Sequence, residues 1–138
     1  MSKHCKIFID MDGTLCGRTR WDGFIKNTLD LFLSGLLFKP PNVRWTLLTS
    51  RPKIDYPIIK LVCYKYKLNP EEIITTPSIF YPYKNKEEVA RWKRDILVLE
   101  YMKNNSVIYV DDDPEILSMI DLKNEDMYLY NSSSFLAM

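Results

Sequence analysis

With 138 residues, 46% hydrophobic and 27% charged side chains and a formal net charge of +1, the chain has the make-up of one globular domain, 1–138, with a real core. The near-neutral balance excludes a strong overall field toward nucleic acid or membrane, while leaving local patches open. The longest apolar stretch, residues 29–38, is interrupted by Asp30, Ser34 and Gly35 and is too short to cross a bilayer.

The opening residues run straight into an apolar strand without a signal-peptide pattern. Cys5, Cys16 and Cys63 are odd in number and lack metal-type spacing, so a cytoplasmic protein with reduced thiols is expected. Residues 5–10 read as a first strand, apolar on both faces and therefore buried in a parallel sheet. A polar loop with Arg18 and Arg20 follows. Residues 22–37 read as a helix, with Asp22 as N-cap and apolar residues from Phe24 to Leu37 at helical spacing. Lys39, Pro40, Pro41 and Asn42 stop it. Residues 43–48 form a second apolar run, followed by Thr49, Ser50, Arg51 and Pro52. A second helix is expected over 56–66, a short β-prone segment over 72–76 and a proline- and aromatic-rich loop over 77–84. Residues 87–103 read as helical, most clearly in their second half. A strand over 106–110 leads into Asp111, Asp112 and Asp113; Pro114 opens a helix to Ile120, and 127–130 offer a fifth strand. Strands alternating with helices predict an α/β fold with a parallel sheet covered on both faces.

Four places carry chemistry. Asp10 and Asp12 fall at the carboxyl end of the first strand, where open α/β sheets place their ligands, and Gly13 permits a sharp departure there. Clustered carboxylates at a strand end repel one another unless a cation or proton offsets them. Thr49 ends the second apolar run; its hydroxyl, or that of Ser50, can bind phosphate oxygens without adding negative charge, and Arg51 is a candidate anion ligand. A cation is expected nearby among Lys84, Lys86 and Lys93, with Lys93 as first candidate and Lys86 next, against the alternative of ordinary surface lysines. Asp111, Asp112 and Asp113 form a second acidic cluster of hard oxygens suited to Mg²⁺, while Asp113 is also placed to cap the helix at Pro114.

Asp10, Asp12, Gly13 and Thr14 after a hydrophobic strand resemble the first motif of the haloacid dehalogenase (HAD) superfamily of phosphohydrolases. Thr49 resembles its second motif, Lys93 its third, and Asp111 with Asp112 its fourth; together the resemblance spans residues 7–113. It implies a Rossmann-like three-layer fold with a five-stranded parallel sheet. Asp10 would be the nucleophile that forms an aspartyl-phosphate, and Asp12 the general acid and base. Mg²⁺ would be held by an Asp10 oxygen, the Asp12 backbone carbonyl and Asp112, with Asp111 outside the inner ligand set. Thr49, with Ser50 as its alternative, and Lys93 would bind the phosphoryl oxygens. The family's flap falls at Arg18 and Arg20, which would face substrate or be solvated loop arginines. Asp12 separates the family's phosphatases and phosphotransferases, which keep this acid, from its dehalogenases. The intervals from Leu15 to Val43 and from Thr76 to Lys93 leave no room for a cap domain.

Receiver domains of two-component signalling use the same residue types in another order, and a silent HAD-like interaction module is a second alternative. His4 precedes the first strand and reads as a surface residue; Cys16 reads as a packing residue. Without a cap, a large substrate or a second subunit of a homo-oligomer would have to close the site. Aromatics and cations in the flap (Arg18, Arg20, Trp21) and in the loop of Phe80, Tyr81, Tyr83 and Lys84 point to a nucleotide or nucleic-acid terminal phosphate. A phosphoprotein, a sugar phosphate, or a purely anchoring role for the aromatics remain alternatives.

Overall fold

The computed structural model describes residues 4–17, 35, 36, 38–40, 42–81, 83–103, 105–121 and 127–132. Five strands form one sheet: β1 (Cys5–Ile9), β2 (Thr46–Leu48), β3 (Glu72–Ile74), β4 (Ser106–Asp111) and β5 (Met127–Asn131). They lie in the order β3-β2-β1-β4-β5, and every neighbouring pair is parallel. Among the described residues three α-helices alternate with the strands: α1 (Tyr56–Lys65), α2 (Lys86–Met102) and α3 (Pro114–Ile120). The fold is the expected Rossmann-like α/β arrangement, and the described residues contain no inserted cap.

The period of two along each strand explains the layers. Phe8 is matched with Tyr109 and Thr46, and Ile9 with Val110 and Leu47. Ile9, Leu47 and Val110 then join Ile59 and Val62 of α1 in one buried cluster. Phe8 and Tyr109 join Ala90 and Leu97 of α2, Ile116 and Ile120 of α3, and Met127 in another. Both faces are thus apolar, as a parallel sheet requires. No described helix is long and apolar enough to cross a membrane.

Helix α2 begins at Lys86, earlier than its periodicity alone marks. Asn85 caps it by accepting from the Glu88 amide at 2.9 Å, and the Glu88 carboxylate accepts from the Lys84 amide at 3.1 Å. This reciprocal capping fixes the helix start. The start in turn puts Ala90, Lys93 and Leu97 on the buried face, with Lys93 inside the apolar stripe. Most of the helix expected over 22–37 lies outside the described residues. Its end differs from expectation: Leu36 makes an antiparallel bridge with Cys16 instead of a helical turn. The chain leaving β1 supplies the partner, because the Met11 carbonyl gathers the amides of Thr14, Leu15 and Cys16 into a tight turn. Gly13 takes φ 82 within it, a conformation other residues adopt with strain.

Candidate active site

β1 and β4 are neighbours in space, but β2 and β3 extend from one side of β1 while β4 and β5 lie on the other. Their carboxyl ends therefore mark the point where the order of connection reverses, the usual ligand crevice of an open α/β sheet. Asp10 follows β1, its amide bonding the Val110 carbonyl at 2.9 Å, and Asp111 ends β4. A crevice of about 360 Å³ opens there, lined among others by Asp10, Asp12, Ser50, Lys93, Asp111 and Asp112. A larger concavity of about 710 Å³ lies at the opposite edge, around Trp45 and Lys67 to Glu71, away from these carboxylates. Chemistry rather than size picks the site.

Lys93 reaches this crevice from the buried face of α2 and is only 2% exposed. Its ammonium donates to Asp10 Oδ1 at 2.9 Å, to Asp111 Oδ2 at 3.3 Å and to the Tyr109 hydroxyl at 2.6 Å. The Tyr109 hydroxyl donates to Asp111 Oδ2, and the Asp113 amide donates to Asp111 Oδ1 at 3.0 Å. Thr14, fully buried, donates to Asp10 Oδ2 at 3.3 Å and lies 3.5 Å from Asp112 Oδ1. Burial opposes the Lys93 charge, yet Asp10 and then Asp111 overcome it and hold the ammonium above its ordinary range. Burial also pushes Asp111 up, but Lys93, Tyr109 and the Asp113 amide pull it below its usual value. Asp10 goes the other way: burial first, and the nearby Asp111 second, hold it well above the usual carboxylate range. Tyr109 is raised by burial and by Asp111, so it remains a proton donor.

One lysine thus serves two buried carboxylates, with a third beside them. Oxygens of Asp10, Asp111 and Asp112 all come within 4.8 Å of one another, a group able to hold a metal ion. The donors are hard oxygens, and three carboxylates stand together where Lys93 pairs with two of them. Both features fit a divalent cation such as Mg²⁺.

On the other side of β1, Arg51 is fully buried. Its Nε donates to Asp12 Oδ2 at 2.9 Å, its Nη2 to Asp12 Oδ1 at 2.8 Å and its Nη1 to Asp55 Oδ2 at 3.1 Å. Instead of lying open to an anion, Arg51 is held between two carboxylates. Burial works against its charge, but Asp12 and Asp55 overcome it; burial raises Asp55 in spite of Arg51. Thr49 is also fully buried, its Oγ1 accepting from the Arg51 amide at 3.2 Å, while Ser50 lines the crevice.

Lys86 sits at the rim, its ammonium 3.0 Å from Asp113 and 3.4 Å from Glu115; Asp113 in turn caps α3 through the Glu115 amide at 2.9 Å. The loop before α2 exposes Ile79, Phe80 and Tyr81, while Tyr83 and Lys84 line the crevice. Arg18, Arg20 and Trp21 lie outside the described residues. Cys16 and Cys63 are buried, and burial pushes their thiols up to about 12 and about 11.

Tyr109 and Asp55 were not singled out by the sequence, and Thr14 entered only as part of the first motif. Tyr109 carries a signal: it stands two residues before Asp111 on one strand and so faces the same side. Thr14 stands one turn beyond Asp10. Asp55 carries none, since its partner is fixed only by the turn after Pro52.

No protein-family model matches this sequence, and no curated protein does. Among solved structures, a chain of the Pnkp1/Rnl/Hen1 RNA repair complex is similar in fold, with a TM-score of 0.65 and 14% identity over 94% of this chain and 43% of that one. A chain in a second structure of the Pnkp1/Rnl/Hen1 complex gives a TM-score of 0.66 and 17% identity over 94% of this chain and 46% of that one. The chain spans less than half the length of these neighbours, and at such identity the likeness concerns the fold.

Proposed function

We propose that residues 1–138 form a single HAD-type hydrolase domain, a Mg²⁺-dependent phosphomonoesterase acting through an aspartyl-phosphate on a nucleic-acid end. The observation that carries this reading is the triad of Asp10, Asp111 and Asp112 around the buried Lys93 at the carboxyl edge of β1 and β4. An Asp10 oxygen attacks phosphorus while the bond to the leaving oxygen breaks, and Asp12 gives that oxygen its proton. Asp12, now ionised, takes a proton from the water that displaces Asp10 from phosphorus. Lys93 aims Asp10 and favours its ionised form against the opposing effect of burial and Asp111, and exchanges part of its contact with Asp10 for a phosphoryl oxygen. Ser50, which lines the crevice, receives a further oxygen, with Thr49 buried behind it. Asp10 and Asp112 with the Asp12 carbonyl would hold Mg²⁺, with Asp111 behind them; when bound, it supplies charge neutralisation between the anionic phosphate and the carboxylates.

Two observations support a nucleic-acid end over a sugar phosphate or phosphoprotein. Phe80 and Tyr81 stand 62% and 75% exposed on a loop that leads through Tyr83 and Lys84 into the crevice. Exposed rings beside a cation can stack bases and hold the backbone. The fold's neighbours belong to a complex that repairs RNA. A panel of nucleotides, 3′- and 5′-phosphorylated oligonucleotides, sugar phosphates and phosphopeptides tests the reading. Mg²⁺-dependent release of phosphate, with the highest kcat/KM on an oligonucleotide end, is expected. Equal kcat/KM for a mononucleotide and an oligonucleotide removes the polymer, and preference for a sugar phosphate removes nucleic acid altogether.

A further inference from the structure

The pair of Arg51 and Asp55 has no part in the phosphoryl transfer just described, yet it forms a fully enclosed link to the general acid. Asp55 is 2% exposed and ends a short 3-10 turn, Lys53–Asp55, that runs directly into α1. Its side chain turns back one helical turn along the chain, and its Oδ2 accepts from Arg51 Nη1 at 3.1 Å. The same guanidinium grips Asp12 side-on through Nε and Nη2. A guanidinium is planar and rigid, so fixing one edge fixes the other. Main-chain bonds tie it down further: the Arg51 amide donates to Thr49 Oγ1 at 3.2 Å, and its carbonyl accepts from the Thr76 amide at 3.0 Å. Of the three charged side chains, Asp12 is the one that reaches the crevice, at 22% side-chain exposure against 0% for Arg51 and 3% for Asp55.

We infer that Asp55 is a positioning residue for proton transfer: through Arg51 it sets the orientation of the Asp12 carboxyl toward the leaving oxygen. The inference rests on the phosphatase reading and adds to it a residue that touches neither phosphate nor metal. A general acid acts only within hydrogen-bond reach of the atom it protonates. Arg51 fixes where Asp12 stands, and Asp55 fixes where Arg51 stands.

The test uses two substrates that differ in their need for a proton. A nucleoside monophosphate expels an alkoxide-like oxygen that must be protonated, whereas 4-nitrophenyl phosphate expels a stable phenolate. Values of kcat/KM report events only through the first irreversible phosphoryl transfer, so later hydrolysis of the aspartyl-phosphate does not enter. Asp55→Ala is expected to lower kcat/KM for the nucleotide by about 10²-fold, the scale of a misplaced catalytic group. The same variant changes 4-nitrophenyl phosphate by less than about threefold, because that leaving group needs little general acid. Asp12→Asn gives the same split, and adding Asp55→Ala to it produces no further split, as expected of two residues acting in one chain.

Equal losses on both substrates would make Asp55 a fold-supporting residue and overturn the inference, as would no loss on either. Should Asp55→Ala fail to fold, Asp55→Asn keeps an acceptor for Nη1 without the charge, and the same two-substrate comparison applies to it. Wild-type protein that hydrolyses neither ester defeats the phosphatase reading, and this inference with it, before any variant is made.

Discussion

Two buried cations flank the end of β1, each bridging two carboxylates, and they do different work. Lys93 gathers Asp10 and Asp111 with a compact ammonium whose donors can be redistributed. Arg51 joins Asp12 to Asp55 through a flat fork whose geometry cannot be shared out differently. On the Lys93 side a third carboxylate, Asp112, stands within 4.8 Å, so negative charge exceeds positive. On the function proposed above, that side receives a cation and exchanges partners during the reaction. The Arg51 side is built to hold one carboxylate still.

The largest expected effect falls on the Lys93 side. Asp10→Asn should lower turnover by roughly 10⁴-fold or more, the scale seen when a nucleophile is removed, with the fold kept. It should also stabilise the protein at neutral pH. Asp10 is held well above the ordinary aspartate range by burial and Asp111, so the folded state binds its proton more tightly than the unfolded state does. Such a group lowers stability as pH rises through that window, and the penalty fades as pH falls toward the ordinary value. Thermal unfolding of wild type and variant should therefore diverge at neutral pH and converge in acid. A variant less stable than wild type at neutral pH would show that Asp10 is not under strain.

Exchanging the cations separates the two sides. Lys93→Met leaves Asp10 and Asp111 buried without their cation and should lower stability by about 3–5 kcal/mol, read by denaturant unfolding. Arg51→Lys keeps the charge but loses the fork, so its main effect should be on kcat, roughly 10-fold to 10²-fold lower, with a smaller change in Tm. Near wild-type kcat in Arg51→Lys would mean that charge alone suffices there, and the contrast between the two clusters would fail.

Metal addition sharpens the same comparison. Mg²⁺ at about a hundred times its Kd should stabilise wild type by about 2.7 kcal/mol, a shift lost on adding a chelator. Asp112→Asn should reduce that shift while Arg51→Lys leaves it intact, since only the first removes an oxygen of the triad. Equal shifts in both variants would move the metal away from these carboxylates.

How much of this was legible beforehand follows from the range of each interaction. The order of strands and the meeting of Asp10 with Asp111 at one sheet edge were readable, because two apolar runs each ended in carboxylates. The side-chain partners were less so. Lys93 drew attention as a cation beside an apolar stripe, but its depth depended on where α2 begins, which Asn85 and Glu88 decide by capping. Arg51 read as an anion ligand because a sequence shows a free guanidinium; its partners come from the separate turns that carry Asp12 and Asp55. Thr49 and Ser50 are adjacent, and which one faces the crevice depends on the last residues of β2, where alternation is interrupted by the turn. Arg18 and Arg20 lie outside the described residues, so their part is tested by the substrate panel alone.

The smallest effect should come from the rim. Lys86 lines the same crevice as Lys93, and from sequence alone either could serve Asp10. Its side chain is 49% exposed, and its ammonium pairs with Asp113 and Glu115. Those partners raise it above its ordinary range, Asp113 first, but water surrounds the pair and screens it. Asp113 keeps its bond to the Glu115 amide when Lys86 is removed, so α3 remains capped. Lys86→Ala should therefore leave Tm nearly unchanged and kcat within about threefold of wild type, since exposed ion pairs contribute little. Added salt should shrink the difference further, because an exposed pair is screened and a buried one is not. A loss of kcat in Lys86→Ala as large as that in Lys93→Met would transfer the working cation from the buried face of α2 to its first turn. It would also leave Lys93 a structural counter-ion, with no difference in kind from Arg51.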